Sequence, residues 1–122
     1  MRQTFDYGEL YDEHNSYKKR RKKDSSFRKR YLDEIDKWKN KYLSMLVPSD
    51  IRFKTILEVG CATGDLIGRF PIDIPFNNRY GINISPLNIE FARDEYPEVN
   101  FYVGTFEEFI KHKGRNIEID IV

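Results

Sequence analysis

The sequence predicts an α/β chain: a parallel sheet wound by helices on both faces and preceded by a helical segment. Three observations carry that prediction. From residue 53 onward, short β-branched and apolar runs alternate with helix-compatible stretches. Such alternation implies parallel strands joined by crossover helices. A glycine-punctuated turn, Gly60-Cys61-Ala62-Thr63-Gly64, links the first of these runs to the first of these helices. Helix starts and stops also stand where the alternation needs them, as Ser85-Pro86, Pro97 and Thr105 with Glu108 show.

Residues 1–17 are polar and tyrosine-rich, with Tyr7, Tyr11 and Tyr17, and read as an irregular or weakly helical lead-in. Residues 18–30 carry a basic run, which reads as a solvated face. Phe27, Tyr31, Ile35, Trp38, Tyr42 and Leu46 then recur at spacings of three or four. That makes one apolar stripe on a helix, expected to pack against the sheet. Ser25 or Ser26 suits its cap and Pro48 ends it. Residues 53–59 read as the first strand, Gly64 to Phe70 as a short helix stopped by Pro71, and 79–84 as the second strand. The next helix starts at Pro86 and runs to about Tyr96, and 99–103 form the third strand. Thr105 and Glu108 fit a capping box opening a helix that ends near Lys113-Gly114. Residues 117–122 look like the opening of a fourth strand. The expected division is therefore 1–49 as a helical lead-in or lid and 50–122 as a binding domain. An open edge lined by Ile117, Ile119 and Ile121 is an aggregation hazard, so that domain is expected to be incomplete, cut within its fourth strand.

Bulk properties narrow the function. The 122 residues suffice for one domain, and charged residues nearly cancel at net +1. No global field then argues for nucleic acid or an anionic membrane, and neither is expected as a partner. No apolar run reaches roughly 18 residues. The lone cysteine, Cys61, forms no internal disulfide, which fits a cytoplasmic protein. No Cys/His cluster suggests a metal. His14 lies in the polar lead-in and His112 in an expected loop, so neither is assigned a role.

Ligands of such sheets bind at the carboxyl ends of the strands. That draws attention to residues 58–65, 83–85 and 104–106. Glycines in the first of these let the backbone approach a ligand, and the following helix start offers free N–H groups. The dinucleotide fingerprint Gly-x-Gly-x-x-Gly needs glycine at 62 and 65, where this chain has Ala62 and Asp65. A nicotinamide cofactor is therefore disfavoured.

The arrangement resembles the class I S-adenosylmethionine-dependent methyltransferases over roughly residues 50–122. The resemblance rests on Glu58-Val59-Gly60-Cys61-Ala62-Thr63-Gly64 at the first strand end and Gly81-Ile82-Asn83-Ile84-Ser85 at the second. Val103-Gly104-Thr105-Phe106-Glu107 follows the third strand, and Ile119-Asp120-Ile121-Val122 opens the fourth. Asn83 lies 23 residues after Gly60, near the ~20 typical of a ribose-reading position. The resemblance implies a Rossmann-like doubly wound sheet, S-adenosyl-L-methionine as cofactor, and methyl transfer; the near-neutral charge makes a small molecule, rather than nucleic acid, the expected acceptor. It also implies roles for particular residues. The backbone of Gly60, Cys61, Ala62, Thr63 and Gly64 would follow the methionine part, and Glu58 would anchor its amino group through water. Asn83 would meet the ribose and Ile84 the adenine face, while Thr105 and the Phe106 N–H would meet the adenine edge. An N-terminal helix often lids the pocket in this family, which would put Tyr7, Tyr11 or Tyr17 on the substrate side.

Asn83 and Thr105 stand where the family usually carries carboxylates, so each offers a weaker acceptor. The residues that usually shape the acceptor site would follow the fourth strand, so no catalytic base is assigned. This chain alone is expected to hold the cofactor and turn over poorly. The rival readings are a non-catalytic binding or scaffold protein that kept the fold, a nicotinamide-dependent oxidoreductase, and RNA binding through residues 18–30.

Overall fold

The computed structural model describes residues 15–38, 55–70 and 74–112, together with Gly8, Asp12 and Lys41. Its frame is a three-stranded parallel sheet of β1 (Ile56–Val59), β2 (Arg79–Asn83) and β3 (Asn100–Val103), in the order β1-β2-β3. Helices α1 (Asn15–Arg20) and α2 (Ser26–Trp38) precede it. Helix α3 (Asp65–Gly68) follows β1, α4 (Pro86–Glu95) follows β2 and α5 (Phe106–His112) follows β3, giving a Rossmann-like α/β fold. The proposed fourth strand, the tail of the long helix at Tyr42 and Leu46, and Tyr7, Tyr11 and His14 lie outside the described residues.

Strand alternation builds two apolar layers. On one face Ile56 and Phe101 join Ile67 of α3 and Ile89 and Ala92 of α4. On the other, Leu57 and Ile82 join Phe109 of α5, with Tyr102 tilted against Phe109 at 5.5 Å between ring centroids. Helices therefore cover both faces. Ile82 and Ile89 are fully buried, and truncating such a side chain to Ala costs roughly 2–5 kcal/mol.

Local chemistry sets the helix starts. The Ser85 hydroxyl accepts from the Asn88 N–H at 3.0 Å, and Pro86 occupies the first turn of α4. Thr105 and Glu108 close the expected capping box: the Glu108 N–H donates to Thr105 Oγ1 at 3.2 Å, and Thr105 Oγ1 lies 3.1 Å from the Glu108 carboxylate. Ser25, rather than Ser26, caps α2, accepting from the Arg28 N–H at 3.1 Å.

In the N-terminal segment, Asn15–Arg20 forms a helix that begins within the lead-in and runs into the basic run. The apolar stripe of α2 is only partly buried, and the most buried residue of that helix is charged. Phe27, Tyr31 and Ile35 are half-buried and Trp38 is 43% exposed, whereas Arg28 is 2% exposed. The basic run is correspondingly not one solvated face: Lys18, Lys19, Lys22, Lys29 and Arg30 face solvent, but Arg28 turns inward. The reason is charge. Asp65 is buried at the start of α3, and a buried carboxylate needs a partner.

Candidate functional site

Parallel register brings the three strand ends to one edge. Val59 pairs with Ile82, and Asn83 with Val103. The N–H groups of Gly60 and Cys61 both donate to the Ile82 carbonyl at 2.9 Å, and the Gly104 N–H donates to the Asn83 carbonyl at 2.9 Å. The turns at 60–64, 83–85 and 104–106 therefore stand side by side at the carboxyl edge.

The first turn is built from left-handed backbone at Gly60 (φ 74), Ala62 (φ 51) and Gly64 (φ 80). Its two glycines serve different ends. A Cβ on Gly64 would lie 2.7 Å from the Phe101 ring, so that glycine lets helix and sheet pack. A Cβ on Gly60 would meet nothing within 4 Å, so that glycine borders open space.

That space is a cleft of ≈ 600 Å³ between the turn and the N-terminal helices. Glu58, Gly60, Cys61 and Ala62 form one wall, and Tyr17, Arg20, Tyr31 and Trp38 belong to the opposite one. Tyr17 thus lines the cleft. Glu58 is the carboxyl group of the first wall. Burial raises its pKa from the ordinary 4.5 to about 8, the Ile67 backbone N–H opposes that rise, and the charge of Asp65 adds to it. Glu58 Oε1 is buried with no hydrogen-bond partner. The Cys61 thiol is buried and its pKa is driven upward, chiefly by desolvation and then by Glu58, which leaves it inert as a nucleophile.

The remaining sequence-derived candidates divide. Thr63 is fully buried and its hydroxyl donates to Asp65 Oδ2 at 2.6 Å, so its side chain is turned away from the cleft. Asn83 is partly buried, and its Oδ1 accepts from the Ser85 N–H at 3.0 Å, an Asx turn that uses one of its two lone pairs. Ile84 is partly buried beside it. Thr105 and Phe106 are exposed. Thr105 lines a second hollow of ≈ 330 Å³ with Val103, Gly104, Glu108 and His112, apart from the Glu58 cleft. His112 ends α5 rather than lying in a loop.

Sequence reasoning missed the network behind the turn. Arg28 forks onto Asp65, with Nη2 at 3.1 Å from Oδ1 and Nη1 at 3.3 Å from Oδ2. The Tyr96 hydroxyl donates to Asp65 Oδ1 at 2.6 Å, and Glu95 lies 3.4 Å from Arg28 Nη2. Burial alone would lower the Arg28 pKa, but the hydrogen bond and charge of Asp65 reverse that and the net shift is upward. Arg28 Nη1 also donates to the Arg20 carbonyl at 3.2 Å, tying α1 to the same point. One signal was present in the sequence: Arg28 falls three, seven and ten residues before Tyr31, Ile35 and Trp38, on the stripe face itself.

Among the described residues no cluster of His, Cys, Asp and Glu could hold a metal ion, and no helix is long and apolar enough to cross a membrane. No protein-family model and no curated protein matches the chain. Among solved structures it is similar to a TehB-like SAM-dependent methyltransferase from Corynebacterium glutamicum ATCC 13032 Kitasato, at 19% identity and a TM-score of 0.38. That match covers 62% of this chain and 44% of the other, so the chain spans less than half the length of that structure.

Proposed function

We propose that the carboxyl edge of the sheet binds S-adenosyl-L-methionine and that the chain holds this cofactor for methyl transfer to a small molecule. The observation that carries this reading is the pairing of Gly60 with Glu58. A left-handed glycine borders empty space, and the partly buried Glu58 carboxyl two residues before it keeps an enclosed oxygen without a partner. A ligand lying along the turn and presenting an ammonium to Glu58 answers both features.

The residues present fit the methionyl end of the cofactor on those grounds. Gly60 and Ala62 would pass beside it and Glu58 would hold its amino group. At the adenosine end, Ile84 offers an apolar contact, and Asn83 keeps one lone pair and its amide donors. Thr105 is already engaged with Glu108, so its contribution to an adenine edge is small. When bound, the cofactor supplies an electrophilic methyl group on a sulfonium. The chain's own contribution is orientation, and fixing a donor within reach of an acceptor is worth several kcal/mol of a displacement barrier. The lead-in helices add the outer wall of the cleft through Tyr17, Tyr31 and Trp38.

A cofactor panel tests the reading by calorimetry: S-adenosylhomocysteine against NADH on the same folded preparation. Micromolar binding of the first and none of the second is expected. The reverse preference would return the chain to the oxidoreductase reading. Binding of neither by a folded chain would favour a scaffold that kept only the fold.

A further inference from the structure

The cleft beside the glycine turn holds a second buried atom without a partner. Arg20 Nε is enclosed and has no acceptor, just as Glu58 Oε1 has no donor, and both residues line the same cleft. A cation and a carboxylic acid face one space without satisfying each other at these atoms. Each unpaired buried polar group is costly, and a half-satisfied pair is the arrangement that a ligand completes.

The guanidinium is held in place rather than free. Its centre lies 4.1 Å from the Tyr17 ring centroid and 4.6 Å from that of Tyr31, so both tyrosines border it. The Tyr31 hydroxyl also hydrogen-bonds with Arg20. The Arg20 backbone is fixed as well, since its carbonyl accepts from Arg28, which is locked onto Asp65. A rigid planar donor matches a carboxylate. A singly charged ligand would leave one of the two orphans unpaired. A ligand carrying both signs a few bonds apart satisfies them together.

We propose that Arg20 and Glu58 together read the zwitterionic α-amino acid end of the ligand, its carboxylate on Arg20 and its ammonium on Glu58. The assignment rests on the cofactor reading above and deepens it. It makes α1 a working wall of the site, and Arg20 a specificity-determining residue selecting ligands that keep their amino acid end.

Two ligands separate this from its alternatives: S-adenosylhomocysteine, and 5′-methylthioadenosine, which shares the thioether and nucleoside but lacks the amino acid. Calorimetry on the 122-residue chain should show the first binding at least tenfold more tightly. Arg20→Met should weaken S-adenosylhomocysteine by roughly 10- to 100-fold and leave 5′-methylthioadenosine within about twofold. Arg20→Lys, which keeps the charge and loses the fork, should fall between. Binding of 5′-methylthioadenosine reports folding in each variant, so equal losses for both ligands would mean a structural role and overturn the assignment. Undiminished S-adenosylhomocysteine affinity in Arg20→Met would overturn it while leaving the cofactor reading intact. Equal affinity of the wild-type chain for the two ligands would place any zwitterion outside the cofactor and also overturn it. Binding of neither by the folded wild-type chain would instead remove the cofactor reading, and this assignment with it.

Discussion

At the scale of single residues, Glu58 and Arg28 carry the most consequence. With its pKa raised to about 8, Glu58 is largely protonated in the native state at neutral pH. A carboxyl raised on folding contributes stability that is fully present below the ordinary value of 4.5 and is lost as pH rises through about 8. Glu58→Gln should therefore flatten the fall in urea midpoint between pH 5 and pH 8.5; an unchanged slope would place the titrating group elsewhere. The same shift makes ligand binding proton-linked. An ammonium on Glu58 requires the carboxylate, so S-adenosylhomocysteine should release a proton near pH 7 and 5′-methylthioadenosine should not. Calorimetry in buffers of different ionisation enthalpy reads this directly. Arg28→Met leaves Asp65 buried without a cation, held only by the Thr63 and Tyr96 hydroxyls, and should cost about 3–5 kcal/mol by urea unfolding. Adding Asp65→Leu should recover a large part of that loss, because replacing both members of a buried pair is far milder than stranding one. Glu58 and Gly60 were legible in the sequence because turn chemistry is local. The Arg28–Asp65 bond was not, since its partners stand 37 positions apart and only tertiary packing joins them.

At the scale of elements, the strand–turn–helix units were legible because each carries its own start signal. Ser85 and Thr105 cap the helices they were expected to cap. Thr105→Ala should cost about 1 kcal/mol of stability, measured by thermal unfolding, with little effect on the Glu58 cleft. The two glycines of the first turn look alike in sequence but differ in surroundings. Gly64→Ala forces a Cβ against the Phe101 ring at positive φ, and should destabilise by roughly 3 kcal/mol or more. Gly60→Ala meets no atom, so it should cost only about 1 kcal/mol in backbone strain yet weaken ligand binding sharply. The paired result, a stability defect in one and a binding defect in the other, would separate packing from approach. Least legible was the face of α2. Its stripe satisfied the helical period, but the period cannot say whether an apolar face meets the sheet or borders a cleft.

At the scale of the whole molecule, the net charge of +1 conceals an internal match of charges. Bases of the N-terminal segment meet acids of α3 and α4: Arg28 with Asp65, and Lys23 with Asp94 and Glu95. Asp36 of α2 meets Arg69 just after α3 at 2.6 Å. The helices so held leave Trp38, the only tryptophan of the chain, on the rim of the cleft. Filling the cleft should shift its emission to shorter wavelength, in step with calorimetric saturation; saturation without a shift would put the ligand elsewhere. The most direct test of the central claim is titration of S-adenosylhomocysteine into the wild-type chain and into Gly60→Val, with circular dichroism confirming that both are folded. The account predicts micromolar affinity for the first and none measurable for the second. A folded wild-type chain that does not bind, or a Gly60→Val variant that binds as well as the parent, would contradict it.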